Sequence, residues 1–207
     1  MTLGWAAPPA DRWEPTIREF EAQDRLAPPA PGGVVFVGSS SIRLWDLAKS
    51  FPGHRAVNRG FGGSQLADAV RYAERIVIPY APRVVVLYAG DNDLAAGKNP
   101  EQVFDDFKQF VAKVHRALPK ARIVYLGVKP SPSRWKLIDK VRATNRLIRE
   151  FAAKDARLVF VDVETPMLGP DGKPRPELFR PDRLHLNDEG YRLWATLVAP
   201  HLDGPKP

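Results

Sequence analysis

The sequence predicts an α/β protein, a three-layer α/β/α sandwich built on a five-stranded parallel sheet. Two observations carry this prediction. The apolar runs are short, rich in valine and isoleucine, and do not alternate with polar residues, as expected of strands covered on both faces. Between them lie stretches with helical spacing, so strand and helix alternate along the chain. Length agrees, since 207 residues suit one such domain with a sizeable core.

The elements follow in order. Residues 1–32 are rich in Pro and Ala and read as an arm on the domain surface, with one helical stretch over 15–23 and a break at Pro28-Pro29-Ala30-Pro31-Gly32-Gly33. The main domain then occupies 33–203. Residues 34–37 form a first strand, and a helical start follows near 41–47. Residues 55–58 give a weak second strand, and 65–78 a helix that Pro79 ends. Residues 84–87 are a fully apolar third strand. Val103, Phe104, Phe107, Phe110, Val111, Val114 and Leu118 recur at helical spacing. A fourth strand is expected over 123–128, a long helix over 135–154 and a fifth strand over 158–161. Asn187 is a good N-cap for the last helix, with Asp188 and Glu189 suited to its first turn.

Composition removes several function classes. With no cysteine, the chain has no disulfide, zinc–thiolate site or cysteine nucleophile. Spacings of several histidines suited to a metal, a Walker loop and a Gly-x-Gly-x-x-Gly fingerprint are all missing, so no metal or cofactor is expected. Net charge is +7, yet the densest basic group, Arg134 to Arg149, interleaves with the apolar face of an amphipathic helix. It reads as a solvated face, and no nucleic-acid partner is expected. No apolar run approaches the roughly 18 residues of a membrane span. The opening Met1–Trp5 lacks a basic n-region and an apolar h-region. The expected location is cytoplasmic by default, with a mature periplasmic or secreted form as the alternative.

In parallel sheets, ligands bind beyond the carboxyl ends of the strands. Four segments lie there: Gly38-Ser39-Ser40-Ser41 after strand one, Asn58-Arg59-Gly60-Phe61-Gly62-Gly63-Ser64 after strand two, Gly90-Asp91-Asn92-Asp93 after strand three, and Asp182-Arg183-Leu184-His185 before the last helix. Each alone has a plain explanation in turn geometry or capping. Together, in this order, they resemble the four blocks of the SGNH hydrolases, also called the GDSL family. The resemblance spans residues 34–202. It implies a flavodoxin-like fold of the SGNH type, with Ser40 as nucleophile, Asp182 and His185 completing a triad, and Gly63 and Asn92 in an oxyanion hole with the Ser40 N–H. One departure is visible: Ser39 stands where the family name has aspartate. The register of the block selects Ser40 among the three adjacent serines.

Those residue types suit acyl transfer. A serine hydroxyl needs a base to take its proton, and imidazole titrates near neutral pH. Asp182, three residues before His185, can hold its Nδ1–H and turn Nε2 toward Ser40. Donors at Ser40, Gly63 and Asn92 would meet the developing oxyanion. Trp45, Phe61 and Trp135 lie in or after strand-end segments, where each lines an acyl pocket or packs in the core or rim. Asp91 receives no chemical role, and His54, His115 and His201 match no block.

The function expected from the resemblance is a serine esterase acting on short acyl esters, like the compact bacterial acetylhydrolase branch. Deacetylation of carbohydrate is the alternative, and an inactive binding protein on the same fold is the reading from another class. The natural substrate and the oligomeric state stay open.

Overall fold

The computed structural model describes residues 11–203. Five strands form one wholly parallel sheet: β1 (Val34–Gly38), β2 (Ala56–Gly60), β3 (Val84–Tyr88), β4 (Arg122–Leu126) and β5 (Leu158–Val161), in the order β2-β1-β3-β4-β5. Pairing is in register, with Val35 opposite both Val57 and Val85. Successive side chains of a strand point to opposite faces, so the uninterrupted valine runs feed two cores. Val35, Val37, Val85, Leu87 and Tyr125 join one core, and Val34, Phe36, Val86, Tyr88 and Leu126 the other.

The first core is covered by α1 (Glu14–Leu26), α4 (Leu66–Ile76), α6 (Pro100–Ala117) and α7 (Ile138–Ala152). The second lies under the short helices α2 (Ser40–Arg43) and α3 (Leu47–Ser50) and under α9 (Asp188–Val198), whose Trp194 is fully buried. The two remaining helices, α5 (Asp91–Ala95) and α8 (Glu164–Met167), follow the ends of β3 and β5. Helices on both faces of a parallel sheet make the expected three-layer sandwich.

The helical residues before β1 are tied down firmly. Ile17 is buried in the first core. Arg75 of α4 bonds both Glu14 and Glu21, Arg59 of β2 pairs with Asp24, and Trp13 meets Phe61 edge-on. Two element boundaries differ from expectation. The helical start after β1 divides at Leu44–Asp46, where Asp46 caps α3 by accepting from Lys49 N. The helix expected from residue 135 begins at Ile138, because Pro132–Leu137 forms a 3-10 helix with Arg134 at φ −116°. Proline at 130 and 132 disfavours α-geometry in the residues before it.

Sheet order decides where a site can form. β1 is followed by β2 on one side, and the chain then returns to β3 on the other, which leaves a crevice at the carboxyl ends of β1 and β3. Ser40 follows β1 and Asn92 follows β3, so both open onto that crevice.

Candidate active site

Gly38 ends β1 at φ +140°, and a Cβ there would stand 1.9 Å from the Tyr88 carbonyl oxygen. Only glycine lets the strand turn so close to β3. The three serines that follow have different surroundings. Ser39 and Ser41 are buried, with the Ser41 Oγ accepting from Lys129 Nζ at 3.2 Å. Ser40, the first residue of α2, is partly exposed, and its Oγ lies 3.0 Å from His185 Nε2.

His185 and Asp182 come from a tight loop closed by the bridge between Phe179 and Leu186 and by Arg180 N donating to His185 O. Asp182 shapes the loop from inside. Its Oδ1 accepts from the N–H groups of Leu184 and His185, both at 2.9 Å, and Arg183 adopts the left-handed conformation. Its Oδ2 lies 2.6 Å from His185 Nδ1. Burial pushes the Asp182 carboxyl up, but the hydrogen bonds from His185 and Leu184 outweigh it and bring the pKa to about 2. The carboxylate therefore stays charged near neutrality and accepts the Nδ1–H, which leaves Nε2 as the acceptor facing Ser40.

Gly63 (φ +79°) and Asn92 face the same cleft as Ser40 and His185. The N–H groups of Ser40 and Gly63 donate to no acceptor among the described residues. Asn92 is held from three sides. Its Oδ1 accepts from Arg134 Nη2 at 3.0 Å, its Nδ2 donates to Ser64 O at 2.9 Å, and its backbone N–H donates to Asp91 Oδ1. An amide gripped at its oxygen by a guanidinium has a fixed flip, and the second Nδ2 proton stays available to the cleft.

Asp91 and Asp93 anchor this loop. Asp91 is buried, with Lys129 Nζ at 3.1 Å and Arg134 Nη1 at 3.0 Å. Burial pushes the Asp91 carboxyl up, and the two cations more than offset this and hold it below the usual range. Lys129 Nζ also bonds the Tyr88 hydroxyl. Asp93 accepts the Leu66 N–H with both oxygens at 3.1 Å, tying the glycine loop after β2 to the loop after β3. Burial raises its carboxyl despite Lys98 beside it.

The pocket aromatics need correction. Trp45 is 3% exposed and packs among Phe36, Phe51, Tyr191 and Trp194, so it belongs to the second core. Phe61 is fully buried against Trp13 and Tyr72, so it belongs to the first core. Trp135 does line an open groove of about 810 Å³ with Leu168, Pro170 and Arg183, but neither Ser40 nor His185 reaches that groove. The sequence reading missed Arg12, Trp13, Thr16 and Arg43, which wall the cleft around Ser40. No spacing signal marks them, because the N-terminal segment reaches the site only through tertiary packing. Among the described residues, no cluster of His, Asp and Glu could hold a metal ion.

Known proteins share this architecture. The model of the GDSL-like lipase/acylhydrolase family matches residues 39–193. The chain is 29% identical over 187 residues to the platelet-activating factor acetylhydrolase IB subunit alpha1 of Bos taurus, covering 87% of this chain and 78% of that one. A GDSL-like lipase from Bacteroides thetaiotaomicron, 22% identical, superposes with a TM-score of 0.76 over 90% of this chain and 97% of its own. A catalytic mutant of an acetylxylan esterase from Geobacillus stearothermophilus, 14% identical, gives 0.67 over 85% and 96%. The serine turn, the glycine loop and the Asp-x-x-His loop thus sit within a matched region of 155 residues, from 39 to 193, and the chain belongs to the GDSL-like lipase/acylhydrolase family.

Proposed function

We propose that the protein is a serine esterase that cleaves short acyl esters, acetate foremost, through an acyl-enzyme on Ser40. One observation carries the proposal: the continuous relay from Ser40 Oγ to His185 Nε2 at 3.0 Å and from His185 Nδ1 to Asp182 at 2.6 Å. In this mechanism His185 takes the hydroxyl proton as Ser40 Oγ attacks the ester carbonyl. The N–H groups of Ser40 and Gly63 and the free Nδ2 proton of Asn92 hold the oxyanion. The alcohol leaves with the proton from His185, and water, deprotonated by the same imidazole, releases the acid and restores Ser40.

The short acyl preference follows from the walls of the cleft. Its apolar side chains are few, chiefly Trp13 and Leu184, among Arg12, Thr16, Arg43 and Arg134. A long chain gains about 0.8 kcal/mol per buried CH₂ only where apolar walls receive it. The groove beside Trp135 favours a second reading, deacetylation of carbohydrate. That groove is open and mixes Trp135 with Asp171, Lys173, Arg175 and Glu177, a lining suited to a hydroxylated chain. Steady-state rates on nitrophenyl acetate and on acetylated xylo-oligosaccharide separate the two. A kcat/KM larger for the oligosaccharide selects the second reading, and no turnover of either ester by intact protein rejects both.

A further inference from the structure

The cleft around Ser40 carries three guanidinium groups, those of Arg12, Arg43 and Arg134, and no carboxylate lines it. Arg134 is occupied with Asp91 and Asn92. Arg12 and Arg43 form no ion pair with any carboxylate among the described residues.

Both groups are placed at the glycine loop. Arg43, at the end of α2, sets its Nε 2.8 Å from the point where a Cβ on Gly62 would stand. Arg12 Nη2 lies 3.3 Å from the corresponding point on Gly63, and its guanidinium covers the Trp13 ring at 4.4 Å. Trp13 is itself fixed edge-on against the buried Phe61. Two guanidinium groups from separate elements thus converge on the loop that holds the Gly63 N–H. Surface arginines with no such convergence need only water. The absence of side chains at 62 and 63 lets both guanidinium groups lie close against this loop.

We infer that this cleft selects esters bearing a negative charge, a carboxylate or a phosphate, close to the scissile carbonyl, with Arg12 and Arg43 as its receptors. The inference rests on the Ser40 esterase reading and names the substrate class of that site. A planar guanidinium fork matches both anions in geometry, and a cleft of one sign raises the local concentration of an oppositely charged substrate. Because both side chains are exposed, the selectivity weakens as salt screens it.

Three para-substituted phenyl acetates test this: 4-acetoxybenzoate, 4-acetoxyphenyl phosphate and the neutral 4-acetoxybenzamide. The expected result is a kcat/KM for an anionic ester about tenfold or more above that of the amide, carried mainly by KM, and shrinking with added salt. The Arg12→Gln/Arg43→Gln variant is expected to bring the ratio to about one. The arm with the larger preference tells carboxylate from phosphate. A ratio at or below one in the wild type, or a ratio unchanged in the double variant, overturns the inference. Calorimetry on Ser40→Ala protein keeps the two claims apart. Tighter binding of the anionic esters than of the amide, lost when both arginines are replaced, upholds charge selection even where turnover fails. Equal binding of all three rejects it.

Discussion

Among single residues, Asn92 shows most clearly how neighbours would prepare the oxyanion donor proposed for it. An asparagine amide in a turn has two nearly equal flips, and only one offers an N–H to an oxyanion. Arg134 bonds its Oδ1 and Ser64 O takes one Nδ2 proton, so the flip is settled before substrate arrives. Asn92→Ala is expected to lower kcat by roughly 10²–10³ with little change in KM, since the lost donor acts on charge present only in the transition state. Arg134→Gln leaves the donor and its bond to Ser64 O but loosens the amide at its oxygen, and a smaller fall in kcat is expected from it. An unchanged kcat in Asn92→Ala removes this residue from the mechanism. Asp182 yields a pH expectation. Its pKa is depressed to about 2, so its charge disappears only as pH falls toward that value. From about pH 4 upward the carboxylate stays ionised, so Asp182 itself adds no protonation step to the acid side of kcat/KM in that range. A two-proton slope in that range contradicts the assignment.

Individual elements differ in how far their sequence announces them. The valine runs of β1 and β3 and the spaced phenylalanines of α6 declare themselves because burial on one or both faces dictates their pattern. The 3-10 helix at Pro132–Leu137 does not, since Trp135 and Leu137 continue the apolar spacing of α7 while the prolines before them resist α-geometry. Trp45 and Phe61 follow strands just as pocket residues do, and sequence cannot tell which way a turn points its side chains. Both point into the protein. The helix α1 reads as an appendage in composition, yet Ile17 is fully buried under it. Ile17→Ala is expected to cost about 2–5 kcal/mol of stability, measured by denaturant midpoint, from lost burial and the cavity left behind. A change below about 0.5 kcal/mol, the range of a surface substitution, would show α1 to be loosely attached.

The whole molecule arranges one crevice from four distant segments, and this explains what was legible in the site. Ser40, Gly63 and Asn92 follow β1, β2 and β3, whose carboxyl ends parallel topology sends to one edge, while the choice of these residues and of Asp182 and His185 came from the resemblance to the four SGNH blocks. Arg12, Trp13, Thr16 and Arg43 were not legible, since their place depends on how α1 and α2 pack across the sheet. The shape of the cleft also sets a limit on substrates. Across nitrophenyl esters of increasing length, kept monomeric, kcat/KM is expected to fall beyond butyrate, because Trp13 and Leu184 offer little apolar wall. A rise through the long-chain esters would indicate an apolar channel that the cleft does not contain.

Which of three neighbouring serines reacts is the claim on which the rest depends. Ser41 Oγ is engaged by Lys129, Ser39 is fully buried, and Ser40 Oγ faces His185. The most direct measurement is labelling with a fluorophosphonate, followed by peptide mapping of the modified residue, in the wild type and in Ser39→Ala, Ser40→Ala and Ser41→Ala proteins. The label is expected on Ser40 alone, and both label and ester hydrolysis are expected to vanish in Ser40→Ala while persisting in the other two. Label on Ser41, or hydrolysis that survives in Ser40→Ala, would contradict the account.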